Sequence, residues 1–587
     1  MSGTGGSGAT GPGRGLGEPP RPRTVSILRL IFTTVGLVSL LAGYLGLARY
    51  LRDHPDFSAH PFDLLYYDLQ LFVLGSPPLD QGGPFPFLLD VARFGAPAVT
   101  IYAFFEAGRL LFATELRRIR IRRARGHVIV CGDGLVAATL SRRLRGAGHR
   151  VVSVPSDAVT TEPGPLRVPG AARDPDVLRT AGIARARALY ACTDDSPTNT
   201  AIALAATRHG ADPDGPLAVY AQVADADLCL ALQARRLGLA DRPGLRLDFF
   251  NIDDLAARKL VAQEPPRPVR GRPPRVALLG ATGFGRALLV ELARRWRLRE
   301  AHVAPLPLTL VDDRASEAAG QLIHRYPFVR QVCRITTHDG ELGDLLSGGA
   351  APLPPDRVFI CYDDEERALK SALLAEQLWP GAPGSIVVRL DRLASLREAF
   401  DGGRGDRVLD DLSGVLRLYG VVDAACDPAL IGDDLVERLA RVIHESYALA
   451  RRRRGEHPGT NPALVAWEEL PETLKRANRA QARDIGRKLR AVGCSLSPRV
   501  GPDEGYVLGE REIQRLAVME HQRWVAERQA TGWRYAERRD DTHRLHPALS
   551  PWESLRDDMR ERNHEAIREL PTLLADAGFR IVRVRAA

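Results

Sequence analysis

His127-Val-Ile-Val-Cys-Gly-Asp-Gly134 joins a short apolar run to a glycine turn. The run predicts a buried strand, and Gly132, Gly134 and Ala137 form a GxGxxA pattern at the start of the next helix. Backbone N–H groups and the helix dipole at such a turn can hold a phosphate group. Short apolar strands alternate with helical segments as far as about residue 238. This alternation predicts a doubly wound α/β fold with a parallel sheet.

A second unit of the same plan follows a linker rich in proline and arginine over residues 265–274. Its turn reads Gly280-Ala-Thr-Gly-Phe-Gly285, and Thr282 stands where the second glycine of the pattern would be. The next predicted strand ends in Asp312 and Asp313, where an acid can bind ribose hydroxyls. We therefore predict a poorer phosphate turn but a better ribose acid than in the first unit.

Two further stretches of the first unit, Gly170–Gly182 and Ala188–Asn199, follow its turn at appropriate distances. Together with the turn they resemble the TrkA N-terminal family, the RCK domains that regulate potassium channels and transporters by binding nucleotides. The resemblance implies NAD(H), ADP or ATP as the ligand. The residues that it assigns to the ligand are Gly132, Gly134, Ala137 and Asp194.

The first unit departs from the family pattern after its second strand. Pro155 replaces the acid that would bind an adenosine ribose, and Asp157, two positions further on, is a possible substitute. A purely structural module without a ligand is therefore the alternative. Neither unit carries the His, Lys or Tyr arrangement that hydride transfer needs, so we predict that the protein is not an enzyme.

Two apolar segments upstream of the first strand predict membrane helices. Residues 30–48 contain no charge, and at about 1.5 Å per residue they match the ~30 Å hydrocarbon core. The second segment, about Val91–Thr114, is interrupted by Glu106 and Arg109, which can pair on one helix face. Charges at that depth usually face protein or water, which makes Glu106 the candidate pore residue. The alternative is that Arg109 extends to the interface and Glu106 only neutralises it.

The segment between these helices, residues 52–90, is acidic, whereas both outer flanks are rich in arginine. The positive-inside rule then places both termini in the cytoplasm. The connector holds the apolar stretch Phe62–Leu74, and this order of helix, short segment and helix is similar to the pore module of two-helix potassium channels. The TVGYG filter of that family is missing, and Pro77 and Pro78 occupy its region.

The C-terminal part contains an internal repeat. Its later copy includes Leu516-Ala-Val-Met-Glu-His-Gln-Arg-Trp524, Gly532-Trp-Arg-Tyr535 and His546-Pro-Ala-Leu-Ser-Pro-Trp552. These motifs strongly resemble the RyR domain, the repeat of ryanodine receptors and of assorted bacterial proteins. An earlier, degenerate copy between Leu439 and Gly493 lacks the Gly-Trp-x-Tyr motif. Each copy is predicted as two amphipathic helices that flank a loop.

The tryptophans of the later copy have two interpretations. As apolar residues they are expected in its core. Alternatively, Trp533 or Tyr535 stacks on a base or on nicotinamide, while Arg528 and Arg538 contact phosphate. The second interpretation predicts a site for a nucleotide-derived ligand.

Composition limits the other classes of function. The net charge is +9, but almost all of the excess is arginine, much of it beside the membrane segments, and no nucleic-acid motif is present. We therefore predict no nucleic-acid partner. The seven cysteines are scattered singly without CxxC or zinc spacing, which favours a reducing cytosol and no metal site.

The sequence thus predicts a multidomain protein with a two-helix membrane domain, two α/β Rossmann-like domains and a mainly α C-terminal domain. The expected function is nucleotide-dependent regulation of ion permeation by a homo-oligomer, a tetramer or dimer, in a bacterial inner membrane. A non-conducting membrane sensor or scaffold is the alternative. The predicted boundaries are a disordered tail over 1–24, then domains over 25–125, 126–262, 275–425 and 430–587.

Overall fold

The structure is a computed structural model in two compact units, Met1–Arg120 and Ile121–Ala587. It describes residues 22–155, 166–208, 216–237, 245–298, 304–347, 353–379, 384–392, 416–432, 435–500 and 505–584. Most of the predicted N-terminal tail, Asp157 and the side chain of Arg109 lie outside the described residues.

The first unit is helical. Two of its helices are long and apolar enough to cross a membrane, over Arg29–Tyr50 and Phe87–Gly108, as the sequence predicts. The two helices approach closely at Gly46, where a Cβ atom would lie only 2.6 Å from the backbone nitrogen of Leu89. Glycine permits this approach because it has no side chain. Its helices are α1 (Pro22–Tyr50), α2 (Pro61–Leu71) and α3 (Phe87–Arg122), with a 3-10 helix at Pro77–Gln81.

Asp68 of α2 lies in close contact with α1 at Gly43. Its side chain is fully buried, and a Cβ atom on Gly43 of α1 would lie 1.8 Å from its Oδ1 atom. Neither carboxylate oxygen has a hydrogen-bond partner among the described residues. Glycine at position 43 is therefore needed for α2 to lie against α1.

The second unit begins with a five-stranded parallel sheet in the order β2-β1-β3-β4-β5. We call this part, residues 127–263, the first α/β module. Its elements are β1 (His127–Cys131), α4 (Leu135–Gly146), β2 (Val151–Val154), α5 (Pro175–Thr180), β3 (Ala186–Ala191), α6 (Ser196–Ala206), β4 (Leu217–Gln222), α7 (Ala226–Leu237), β5 (Leu245–Phe250) and α8 (Ile252–Gln263).

The second α/β module, residues 276–431, has a six-stranded parallel sheet in the order β11-β10-β9-β6-β7-β8. Its elements are β6 (Val276–Leu279), α9 (Gly283–Arg297), β7 (Leu306–Asp312), α10 (Ala315–Arg325), α11 (Phe328–Val332), β8 (Cys333–Asp339), α12 (Leu342–Ser347), β9 (Arg357–Ile360), α13 (Glu365–Leu378), β10 (Ile386–Arg389), β11 (Leu416–Tyr419), α14 (Val421–Ala425) and α15 (Pro428–Ile431).

The two α/β modules share one hydrophobic core. Leu260 of α8 and Leu288 of α9 belong to the same buried cluster, because α8 packs along α9. The Tyr419 hydroxyl of β11 also donates a hydrogen bond to the Ala256 carbonyl of α8, at 2.8 Å. Both predicted α/β folds are thus confirmed, and they are joined by packing as well as by the chain.

The C-terminal pair, residues 435–583, is mainly helical, as predicted. Its elements are α16 (Leu435–Arg453), α17 (Glu472–Ala491), β12 (Cys494–Pro498), α18 (Glu510–Ala530), β13 (Arg534–Tyr535), β14 (Leu545–His546), α19 (Asp557–Arg568), α20 (Leu570–Asp576) and β15 (Phe579–Arg583), with 3-10 helices at Trp467–Glu469 and Trp552–Ser554.

The two copies in this pair are related by an approximate two-fold axis. Strands β12 and β15 pair antiparallel, with Leu496 opposite its own counterpart Ile581. Hydrogen bonds from Arg499 N to Gly578 O, at 2.8 Å, and from Val584 N to Gly493 O, at 2.9 Å, are symmetry equivalents. The copies also share a buried core. Each copy therefore completes the other.

Replacing Ile581 by alanine should destabilise the C-terminal pair by about 2–4 kcal/mol, because it opens a cavity at the centre of the shared core. The measurement is the thermal or urea unfolding transition of the protein, followed by tryptophan fluorescence. Val584→Ala, at an exposed position just after the same strand, is the matched control and should change little. Equal effects of the two substitutions would contradict the shared core.

Candidate functional site

The first turn, residues 132–137, has the geometry of a phosphate site. Gly132 has φ +127°, and a Cβ atom there would lie 2.5 Å from the carbonyl oxygen of Cys192, so only glycine fits. Gly134 is the N-cap residue of α4, and no described side chain caps this helix. Ala137 is buried in the core beneath the turn. The backbone N–H groups of the first helical turn are therefore available to an anion.

Asp194, a predicted ligand residue, lies beside this turn. Its Oδ1 atom is 2.5 Å from the position of a Cβ atom on Gly134. A network behind it fixes the loop: Thr193 N donates to Asn199 Oδ1 at 2.7 Å, and Asn199 Nδ2 donates to Gln222 O at 3.0 Å. The Asp194 carboxylate is thus placed to accept a hydrogen bond from a ligand hydroxyl or amino group.

A cation also lies at the first turn, which sequence reasoning missed. Arg167 pairs with Asp133 of the turn at 2.8 Å. The backbone of Arg167 pairs with that of Ser153 in β2 as an isolated parallel β-bridge. This pairing brings the Arg167 side chain close to the turn. Pro155, in place of the usual acid, is buried at the end of the same strand. The arrangement of Arg167 and Pro155 favours phosphate over a ribose at this position.

The second turn, residues 280–285, is closed by the protein itself. Thr282 caps α9 by accepting a hydrogen bond from Gly285 N at 3.3 Å, and it donates to Cys361 O at 2.6 Å. A Cβ atom on Gly283 would lie 2.3 Å from Oδ2 of Asp253, which belongs to α8 of the first module. The Asp253 carboxyl group thus stands at the N-terminus of α9, where a phosphate would bind.

The predicted ribose acids of the second module are also engaged. Asp312 accepts hydrogen bonds from Ala281 N at 2.8 Å and from Arg314 N at 3.1 Å. Asp313 forms a bidentate pair with Arg367, at 3.0 and 3.1 Å. Gly280 and Gly285 are required by close backbone packing: a Cβ atom on Gly285 would lie 2.1 Å from Gly280 O. These glycines and acids therefore maintain the fold of the turn.

The two turns differ in their fit to a nucleotide. Each turn has a carboxyl group of the protein beside it, Asp194 in the first and Asp253 in the second. The first turn has an uncapped helix start and a nearby cation, Arg167. The helix start of the second turn is capped by Thr282, and its predicted ribose acids are already bonded. Of the two predicted sites, the first fits a nucleotide better.

The predicted aromatic site of the later C-terminal copy is partly assembled. The Arg528 guanidinium lies 4.9 Å from the ring centre of Trp533 and 5.7 Å from that of Trp524. Tyr535 is 57% exposed, and its strand partner is His546. Trp533 is half-buried and can present a ring edge or face to a ligand. Arg538 is exposed in the loop that follows.

Histidines in this pair have structural roles. His521 is buried, and its Nε2 atom lies 2.8 Å from Ser550 O; His444 contacts Val465 O in the same way at 2.9 Å. The Nδ1 atom of His546 accepts a hydrogen bond from Ala548 N at 3.0 Å. Burial, with Arg539 and Arg528 nearby, lowers the pKa of His546, so its ring is neutral at pH 7.

Glu106, the candidate pore residue, forms an ion pair within the membrane unit. Its Oε1 atom lies 2.8 Å from Arg29 NH2 of α1, and its side chain is 19% exposed. The ion pair joins the two predicted membrane helices.

Comparison with known families agrees with the predicted resemblances. The family model of the TrkA-N domain matches residues 128–240, and that of the RyR domain matches residues 509–583. The first match extends from β1 to α7, and the second covers the later C-terminal copy from α18 to β15.

Three solved structures are among those to which the chain is similar. The GsuK channel is 18% identical with a TM-score of 0.35, and the match covers 70% of this chain and 98% of that chain. The GsuK channel bound to NAD is 15% identical with a TM-score of 0.36, and the match covers 84% of this chain and 91% of that chain. Dipicolinate synthase A chain from Bacillus subtilis is 13% identical with a TM-score of 0.22, and the match covers 57% of this chain and 99% of that chain.

Replacing Gly134 by aspartate should weaken NAD and ADP binding by at least about tenfold, because a second carboxylate would stand at the helix start beside Asp194. Calorimetry on the purified protein measures the change. Asp312→Asn, in the second turn, is the matched control and should leave both affinities unchanged. The opposite pattern would move the site to the second module.

Replacing Asp253 by asparagine should change how stability depends on pH. Burial is the main cause that raises the pKa of Asp253 to about 7, so the folded protein retains a proton that the unfolded chain releases near pH 4. Wild-type stability therefore falls between about pH 4 and pH 7, and the variant lacks this fall. The melting temperature of the variant, relative to that of the wild type, should therefore increase as the pH rises from about 4 to about 7. Asp557→Asn, at an exposed position of α19, is the control.

Proposed function

We propose that the protein is a membrane-anchored nucleotide sensor that regulates ion permeation. One observation carries the proposal. Helix α3 continues from the candidate span Phe87–Gly108 to Arg122 without interruption, and β1 begins at His127 and ends at the first turn. A single short stretch of chain thus connects the membrane helix to the strand that presents the phosphate turn.

The end of this connection is held by the first α/β module. Ile121 and Ala124 are buried, and Ile121 belongs to the core beneath the first sheet. Gly126 N donates a hydrogen bond to Arg185 O at 2.9 Å, just before β3. A shift of the sheet on ligand binding would therefore move the end of α3 with it.

The proposed ligand is NAD(H), with ADP or ATP as the other candidates, bound at the first turn. The match to the NAD-binding TrkA-N domain and the open start of α4 support this choice. The backbone N–H groups of α4 and Arg167 would bind phosphate, and Asp194 would accept from a hydroxyl group. The aromatic site around Trp533, with Arg528, Tyr535 and Arg538, is a second proposed site for a nucleotide-derived ligand.

The remaining predictions form part of this proposal. The protein would be a homo-oligomer, a tetramer or a dimer, in a bacterial inner membrane with both termini in the cytoplasm. Glu106 would face the permeation path, and the protein would have neither a catalytic activity nor a nucleic-acid partner. The predicted domain boundaries also stand as proposals. TrkA-N-type modules suit an oligomer because movement between subunits can open a central path.

A non-conducting membrane sensor or scaffold is the second candidate. It is favoured by the 3-10 helix Pro77–Gln81, which occupies the region where a selectivity filter would follow α2. In that case the nucleotide would change the exposure of the C-terminal pair to a partner protein.

The test is ion flux from liposomes that contain the purified protein, with and without NAD, ADP or ATP. We expect nucleotide to change the ion flux of the wild-type protein, and we expect this nucleotide effect to be lost in the Gly134→Asp variant. Absence of nucleotide-dependent flux, with binding intact, would favour the second candidate.

Insertion of four glycines between Arg123 and Ala124 should reduce the effect of nucleotide on flux at least about fivefold, because a flexible tract cannot transmit displacement. Nucleotide affinity should remain unchanged. Four glycines inserted between Gly82 and Gly83, in the connector, are the matched control. If nucleotide changes the flux of both insertion variants to the same extent, transmission through this segment is contradicted.

A further inference from the structure

A cavity of about 490 Å³ lies between the first α/β module and the C-terminal pair. One wall comes from α7 and β5, and the opposite wall from α16, α17 and α18. None of the residues of the first or second turn lines it. Its volume is within the range of small-molecule sites, about 300–1,000 Å³. We call it the arginine cavity, after the six arginines in its lining: Arg236, Arg246, Arg483, Arg487, Arg490 and Arg523.

The lining of the arginine cavity is strongly cationic. Against these six guanidinium groups, the described residues of the lining include two acids, Asp248 and Asp484. Asp484 is already paired with Arg487 and with Lys488, and Arg523 is paired with Glu520 and Glu527. The lining therefore has an excess of positive charge.

Two of the arginines have no anionic partner in the part of the chain that the structure describes. Neither Arg483 nor Arg490 has a carboxylate within 4 Å among the described residues, and both are exposed. Arg483, Arg487 and Arg490 follow at i, i+4 and i+7 on α17, so they form a row on one helix face. Like charges held in such a row repel one another, and a multivalent anion would relieve that repulsion.

We propose that the arginine cavity binds a phosphorylated small molecule of nucleotide size. Guanidinium groups bind phosphate by paired, charge-assisted hydrogen bonds, and Arg483 and Arg490 are the donors that have no carboxylate partner among the described residues. This site is additional to the proposed nucleotide site at the first turn. Because its walls belong to the first α/β module and to the C-terminal pair, the ligand would fix one relative to the other.

The test uses the full-length protein carrying Gly134→Asp, which removes the proposed site at the first turn. Inorganic pyrophosphate and ADP are the probes, and calorimetry is the measurement. Arg483→Ala with Arg490→Ala should weaken the binding of both probes at least about tenfold. Arg511→Ala with Arg515→Ala removes the same charge from exposed positions of α18 that do not line the cavity, and it should change affinity less than about twofold.

A second readout does not depend on substitutions. Pyrophosphate should protect Arg483 and Arg490 from modification by phenylglyoxal, while Arg511 reacts at the same rate with and without it. Absence of pyrophosphate binding in the Gly134→Asp protein, equal weakening by the two double substitutions, or absence of protection would each overturn the proposal. Failure of nucleotide binding at the first turn would leave these results unaffected, so the two sites are tested separately.

Discussion

The packing of α8 along α9 is the constraint on which the second compact unit, Ile121–Ala587, depends. These helices belong to different α/β modules, yet they contribute to one buried core. Their contact brings the start of α8 to the start of α9, and Asp253 therefore stands against Gly283. One packing interaction thus joins the modules and closes the second turn with a carboxylate from the first.

This closure explains why similar turns have different chemistry. Both turns place glycine where the backbone approaches another strand, at Gly132 and at Gly280. Of these two helices, α4 begins without a capping side chain and lies beside Asp194, whereas α9 is capped by Thr282 and lies beside Asp253. A helix start whose N–H groups are already capped by a side chain has fewer donors left for an external anion than an uncapped one. The second module is therefore better suited to support the fold than to bind a ligand.

Local sequence patterns predicted much of this structure but not its long-range contacts. The strands next to both turns, the two apolar helices and the C-terminal repeat were predictable because each depends on neighbouring residues, as in the run from His127 to Cys131. Asp312 followed its strand at the expected place, yet its bonds to Ala281 and Arg314 could not be inferred from spacing. Asp253 and Arg167 reach their turns from other elements. Their positions depend on tertiary packing, which has no signature in the surrounding sequence.

The antiparallel contact between β12 and β15 has a consequence for the architecture of the C-terminal pair. Leu496 faces its counterpart Ile581, so each copy uses the same surface toward the other. In oligomers such an isologous contact is closed, because it satisfies both members at once. The pair is the intrachain equivalent of a two-fold dimer. A third copy could not be added through this contact, and the arrangement cannot grow into an extended array as stacked helical repeats do.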